Sequence, residues 1–194
     1  YELMTTIPGL FAIGECNFSD HGANRLGAAS LMQAAGDGYF ILPRTISNYL
    51  ADEIKTPRIA VDRKEFDEAE KEAMDNLKKL ISINGKQTAT AFHRKLGKIM
   101  WDYCGMVRNE AVLLKAAELV KELKNEFWTD LKIPGSQYEL NQELEKASRV
   151  ADLFDVASLL IADALNRKES CGAHFREESQ TADGDAKRDD EHYA

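Results

Sequence analysis

The residues best suited to chemistry lie together in His21-Gly22-Ala23-Asn24-Arg25-Leu26-Gly27-Ala28-Ala29-Ser30-Leu31. This stretch places one guanidinium in a loop of glycines just ahead of a run of helix-forming residues. The first amides of a helix have no intrahelical acceptor, and the helix start carries partial positive charge. Arg25 adds a fixed pair of donors that matches a carboxylate. Upstream, Gly9-Leu10-Phe11-Ala12-Ile13-Gly14-Glu15-Cys16 is an apolar run that ends in an acid. An acid at a strand end accepts ribose hydroxyls in dinucleotide folds. Glu15 and Arg25 therefore suit a nucleotide ribose and a small carboxylate. On spacing alone, a structural loop with Arg25 in a salt bridge fits equally well.

The elements that must position these residues follow from patterning. Residues 9–16 read as a buried parallel strand, residues 17–27 as a glycine-containing loop. From about Ala28 to Ala51 small and apolar residues suit a tightly packed helix, which Pro43 is placed to kink or interrupt. Strand, loop and helix make half of a nucleotide-binding α/β unit. No partner strands follow, and a lone strand does not form a stable sheet.

Beyond residue 60 the pattern becomes helical. Phe66, Ala69, Ala73, Leu77, Leu80 and Ile81 recur at three- and four-residue steps. Asp62 and Glu65 resemble a capping box, and Asn84-Gly85 supplies a stop. A second segment carries Phe92, Leu96, Ile99 and Tyr103, is weakened at Gly105, and resumes with Val112, Ala116, Leu119, Leu123 and Phe127. Ile133-Pro134-Gly135 breaks it. Ser136 and Glu139 resemble a second capping box ahead of Leu140, Leu144, Ala147, Ala151, Phe154, Ile161 and Leu165. Residues 167–194 are polar, charged and non-periodic. The reading is a mainly α chain. An antiparallel three-helix bundle over 61–166 follows a strand-loop-helix remnant of an α/β nucleotide-binding domain over 1–60, the part that the resemblance below assigns to an FAD-binding domain. An irregular C-terminal segment covers 167–194. The helical stripes read as core.

Composition narrows the function classes. Lys plus Arg total 25 against 33 Asp plus Glu, a formal net charge of -8. A dedicated nucleic-acid binder needs basic patches that displace counterions, so this balance argues against one. Cys16, Cys104 and Cys171 are too few and too scattered for a disulfide framework, and read as free thiols of a reducing compartment. The histidines 21, 93, 174 and 192 show no zinc-ligand spacing, so no metal site is expected. No apolar run reaches the roughly 18 residues of a membrane span.

A resemblance sharpens the first motif. Residues 9–16, followed by His21-Gly-Ala-Asn-Arg25-Leu-Gly, resemble the C-terminal FAD-domain signature of the succinate dehydrogenase and fumarate reductase flavoprotein subunit. Glu169-Ser170-Cys171-Gly172-Ala173-His174-Phe175-Arg176 and Arg188-Asp189-Asp190 resemble that family's Glu-Ser-Arg-Gly-Ala-His-x-Arg and Arg-Asp-Asp segments. Cys171 departs from the commoner Arg, so that Arg's role does not carry over. The resemblance implies that Glu15 holds the FAD ribose and that Arg25 binds a carboxylate of succinate or fumarate. It puts Ser30 and Leu31 at the flavin pyrimidine, where a helix start stabilises negative charge. His21 and Asn24 are implied to be structural, and His174 and Arg176 to form a docking or domain-contact segment. For the last segment a solvated charge run is the competing reading.

The resemblance implies an FAD-dependent interconversion of succinate and fumarate, coupled to quinone through an iron-sulfur subunit. A membrane cytochrome b anchor would hold the subunit peripherally on the inner face of the cytoplasmic membrane. The family's N-terminal GxGxxG fingerprint, its covalent FAD-attachment His, its capping domain and its proton-delivering Arg have no counterpart here. Together with Tyr1 in place of an initiating Met, this leads to the expectation of an excised C-terminal part that is inactive alone. Two alternatives remain: an L-aspartate oxidase-like flavoprotein, which Leu26-Gly27, Gln33 and Gly172-Ala173-His174 disfavour, and an independent helical interaction module.

Overall fold

The structure is a computed structural model that describes residues 2–17, 21, 25–136 and 138–193. The chain divides into two compact units, Tyr1–Ala60 and Val61–Ala194.

The first unit is organised by one helical run. It begins with α1 (Ala29–Gly36), widens through a π-helical turn at Asp37–Ile41, and continues as α2 (Leu42–Tyr49). Gly36 and Leu42 keep right-handed helical angles, so the run is continuous across the widening. Pro43 lies in the first turn of α2. A proline lacks the amide for the usual bond and its ring meets the carbonyl one turn back. The wider turn just ahead absorbs both effects, so Pro43 does not end the helix. Residues 2–17 fold against this run. Gly14 donates its amide to the buried Asp37 carboxylate at 3.0 Å, and Gln33 Nε2 donates to Asn17 O at 2.9 Å. Phe11 packs edge-on to Tyr49 with ring centroids 5.7 Å apart. Gly14 has φ +69°, and a Cβ there would lie 3.3 Å from the Ala34 Cβ, so glycine suits both angle and contact.

The expected strand over 9–16 is not formed. Phe11 makes only an isolated antiparallel bridge with Met4, and Gly14–Cys16 is a 3₁₀ turn. Leu10 is 51% exposed, so the run is not buried in this unit. Residues 3–12 instead close on themselves, with Thr5 N donating to Leu10 O and Ala12 N to Leu3 O. A strand needs a neighbouring ladder for its amides, and the described residues of this unit offer none.

The second unit contains α3 (Lys64–Ser82), α4 (Ala89–Tyr103), β1 (Val107–Arg108), α5 (Glu110–Asp130), α6 (Gln142–Asn166), β2 (Phe175–Arg176) and α7 (Asp190–Tyr193). The bundle of three mutually packed helices is α4, α5 and α6, and α3 packs beside α6. Phe92, Phe127 and Phe154, one from each bundle helix, meet at its centre. Their centroids stand 5.3 Å and 5.4 Å from Phe127. Phe92 near the start of α4 faces Phe127 near the end of α5, as antiparallel neighbours must. Leu113, Ala116, Val120, Ala147, Val150, Ala157 and Ile161 complete the core.

The second sequence segment is thus two helices rather than one. It breaks at residues 104–109, where Gly105 sits and where β1 pairs in parallel with β2. The N-terminal half of α3 is exposed, and only Leu80 of its stripe is buried. The helix starts also differ from the expected boxes. Thr88, Asn109 and Asn141 cap α4, α5 and α6 by accepting from Ala91 N, Val112 N and Leu144 N. Helix α3 begins one residue too late for Asp62 to cap it, with Arg63 at that position and no side-chain bond. Glu139 does accept from Ser136 N at 2.7 Å, but in the turn ahead of α6. Gly85 is not a left-handed cap: a Cβ there would stand 2.0 Å from the Asp130 carbonyl carbon. Its absence lets residues 85–87 bond the end of α5, with Gly85 N donating to Leu131 O and Lys86 N to Asp130 O.

No helix among the described residues is long and apolar enough to cross a membrane.

Candidate functional site

In the first unit, Glu15 and Arg25 meet. Arg25 Nε lies 2.7 Å from Glu15 Oε1, and the side chains are 41% and 58% exposed. Arg25 Nη1 also donates to Gly27 O, which folds the side chain over its own loop. The two residues singled out for a carboxylate and a ribose are therefore each other's partners, as the salt-bridge reading of Arg25 also required. An ion pair this exposed is worth about 1 kcal/mol or less, so either member can exchange its partner for a ligand.

Ser30, in the first turn of α1, is buried, and Leu31 beside it is 72% exposed. Ala28 precedes the helix without a side-chain cap, so its own side chain does not compete for the helix start. His21 is half-buried, and its Nε2 has no hydrogen-bond partner among the described residues. Gln33 Oε1 is likewise buried without one. Asn24 lies outside the described residues. Buried polar atoms are paired in the great majority of cases, so these two are open to partners beyond the described residues. An exposed acid, a guanidinium, an uncapped helix start and orphaned polar atoms are a donor and acceptor set that fits FAD and a dicarboxylate. Among the described residues no cluster of three or more His, Cys, Asp or Glu is arranged to hold a metal.

The C-terminal segment is folded, not a solvated charge run. Glu169, Ser170 and Arg176 are buried. Arg176 Nη1 donates to Ala164 O at 2.8 Å and to Leu165 O, carbonyls of the last turn of α6. A cation there also meets the negative end of the helix dipole. Its Nε donates to Glu178 Oε2 at 3.1 Å. Ser170 Oγ accepts from Arg176 N at 2.7 Å. Glu169 takes Arg167 on one oxygen and Asp189 N on the other. His174 Nδ1 lies 2.7 Å from Arg108 Nη1, and its Nε2 lies 2.9 Å from Arg167 O. Burial, aided by Arg108, Arg167 and Arg176, pulls the His174 pKa below the ordinary imidazole value, against the Arg167 carbonyl, which raises it.

Sequence reasoning missed Asp37, Arg108 and Glu178. A lone acid among small apolar helix residues was the available signal for Asp37. Arg108 carries none toward His174, 66 residues on. The Glu110 amide that Glu178 accepts from lies 68 residues back, although its other partner, Arg176, is two residues away.

These features define the C-terminal part of a flavoprotein subunit. Residues 93–194 match the family described as "Fumarate reductase flavoprotein C-term", and the chain belongs to that family. It is 31% identical over 176 residues to the succinate dehydrogenase flavoprotein subunit of Bacillus subtilis, covering 91% of this chain and 30% of that protein. It is 31% identical over 173 residues to the fumarate reductase flavoprotein subunit of Haemophilus influenzae, covering 89% and 28%. Among solved structures it resembles a quinol-fumarate reductase with menaquinol molecules, at TM-score 0.75 and 27% identity over 97% of this chain and 31% of that one. It also resembles Mycobacterium smegmatis Sdh1 in complex with UQ1, at TM-score 0.76 and 26% identity over 90% and 28%. The chain thus spans about three tenths of the length of the curated relatives it matches.

Proposed function

We propose that this chain supplies the FAD-ribose and dicarboxylate contacts of a flavoprotein that interconverts succinate and fumarate. The observation that carries the reading is the exposed Glu15–Arg25 pair, in a chain whose relatives are flavoprotein subunits of that reaction. FAD, when bound, supplies the hydride acceptor or donor. Glu15 accepts from its ribose hydroxyls. Arg25 turns its two-pronged donor face to one substrate carboxylate and fixes the carbon pair in place, a proximity effect. Ser30 and Leu31 present the positive end of α1 to the flavin pyrimidine. His21 Nε2 and Gln33 Oε1 give their unpaired polar atoms to the bound molecules. In the parent, an iron-sulfur subunit and a membrane anchor carry electrons to quinone from the inner face of the cytoplasmic membrane.

The test is Arg25→Ala in the full-length parent. Succinate-dependent dye reduction is expected to be lost while FAD is retained; unchanged turnover removes Arg25 from the site. The 194-residue chain alone is expected to bind little FAD and to show no turnover. Assaying the parent with aspartate against succinate separates this reading from an L-aspartate oxidase-like one.

A further inference from the structure

We propose that His174 is a proton-operated latch: uptake of one proton by its imidazole breaks its bond to Arg108 Nη1, leaving the Arg108 side chain to its Nε bond with Gly105 O, and opens the pairing of β1 with β2. The hydrogen-bond chemistry sets the tautomer. A guanidinium only donates, so His174 Nδ1, 2.7 Å from Arg108 Nη1, must be the unprotonated acceptor. A carbonyl only accepts, so Nε2, 2.9 Å from Arg167 O, carries the hydrogen. The neutral ring is thus a bridge from the α4–α5 connection to the end of α6. A second proton has one place to go, Nδ1, where it would face the Arg108 N–H head-on. The bridge cannot survive that.

The charges around the ring act in the same direction. Arg108 on β1, Arg167 just past α6 and Arg176 on β2 all oppose a positive imidazole. The carboxylates of the region are engaged elsewhere. Glu169 is held by Arg167 and the Asp189 amide, Glu178 by Arg176 and the Glu110 amide, and Glu177 by Asn109. Cys171 meets His174 only through backbone bonds, Cys171 N to His174 O and His174 N to Cys171 O.

What the latch secures is small and local. The strand pairing rests on Phe175 N donating to Met106 O at 3.1 Å and Glu177 N to Arg108 O at 2.8 Å. The non-titrating contacts of Ser170 and of Arg176 with α6 keep the segment on the bundle when the latch opens. The expected change is therefore a loosening of residues 106–108 from 174–177, with the bundle core intact.

The test is amide hydrogen exchange of the 194-residue chain at pH 7 and pH 5, corrected for intrinsic rates, with imidazole ¹⁵N spectra across the same range. Protection at Phe175 and Glu177 is expected to fall, by up to about tenfold per pH unit, as pH drops from about 6.5 toward the lower pKa of the latched ring, with Val120 unchanged. His174→Gln keeps an acceptor for Arg108 and a donor for the Arg167 carbonyl but takes up no proton. Its protection is expected to be independent of pH. Protection that is the same at both pH values in the native chain overturns the latch, as does a pH-dependent loss that persists in His174→Gln. Should that variant not fold, the native spectra decide. A neutral ring protonated on Nδ1, or one that titrates at or above about 6.5, refutes the proposal.

Discussion

At the scale of single residues, the same chemistry serves two ends. Arg25 and Arg176 are both guanidiniums, yet Arg25 lies half-exposed against Glu15 while Arg176 is buried against α6 carbonyls and Glu178. The first is free to exchange partners and the second is not. Arg176→Ala would strip the last turn of α6 of a buried charged donor, at a cost of about 2–3 kcal/mol for such a bond. Chemical denaturation of the chain and the variant measures it. The thiols also divide by setting. All three cysteines are free; Cys16 is exposed and Cys104 buried. Burial raises the Cys104 pKa against the pull of Arg108, so it holds its proton at neutral pH. An aromatic disulfide reagent is expected to titrate Cys16 first and Cys104 only on unfolding. Labelling of Cys104 in the native chain at a rate equal to Cys16 would contradict this. The pairing of Glu15 with Arg25 was open in the sequence, because an acid and a base ten residues apart meet only if the loop between them folds back.

At the scale of elements, the apolar stripes were legible and the ends were not. Stripe positions repeat every turn, so misplacing a helix end by one residue leaves the buried face unchanged. A cap depends on a single register. Asp62 and Ser136 have the right chemistry, yet the helices begin at Lys64 and Gln142, and Asn141 does the capping of α6. Asn141→Ala is expected to lower stability by about 1 kcal/mol, and somewhat more because Nδ2 also holds Pro134 O and Ser136 O. Gly85 is a stricter case. Gly85→Ala would place a methyl inside the Asp130 backbone. Forced overpacking costs about 1–3 kcal/mol or more, and the lowered melting temperature is expected to come with loss of protection at Lys86 and Gln87. A variant that melts with the native chain would show that the α3–α4 turn relaxes freely.

At the scale of the whole molecule, residues 167–194 fold with the helices in one unit rather than trailing from it. Removing them would leave the α6 carbonyls without Arg176, Asn166 O without the Tyr193 hydroxyl, and β1 without its partner. A 61–166 piece is therefore expected to melt well below a 61–194 piece; equal melting temperatures would make the segment dispensable. Acid should act in two stages. The His174 pKa lies below its unfolded value, so the unfolded chain binds the proton first. Stability is complete above about pH 6.5 and declines as pH falls through the folded value. Glu126, held down by Lys95 and Gln87, and Asp130, held down by Gln87, contribute above about pH 4 and are lost below it. Urea midpoints against pH are expected to show both declines, with the upper one absent in His174→Gln. The sequence by itself determined the helical character, the core stripes of α4, α5 and α6, though not of α3, and the family, because periodicity and contiguous motifs are local properties of the chain. Only the tertiary structure decided that 9–16 is no strand here, that α4 and α5 are separate helices, and that Arg108, His174 and Arg167 share one hydrogen-bonded chain. Those outcomes depend on partners distant in sequence, whose amides, carbonyls and charges must be satisfied together.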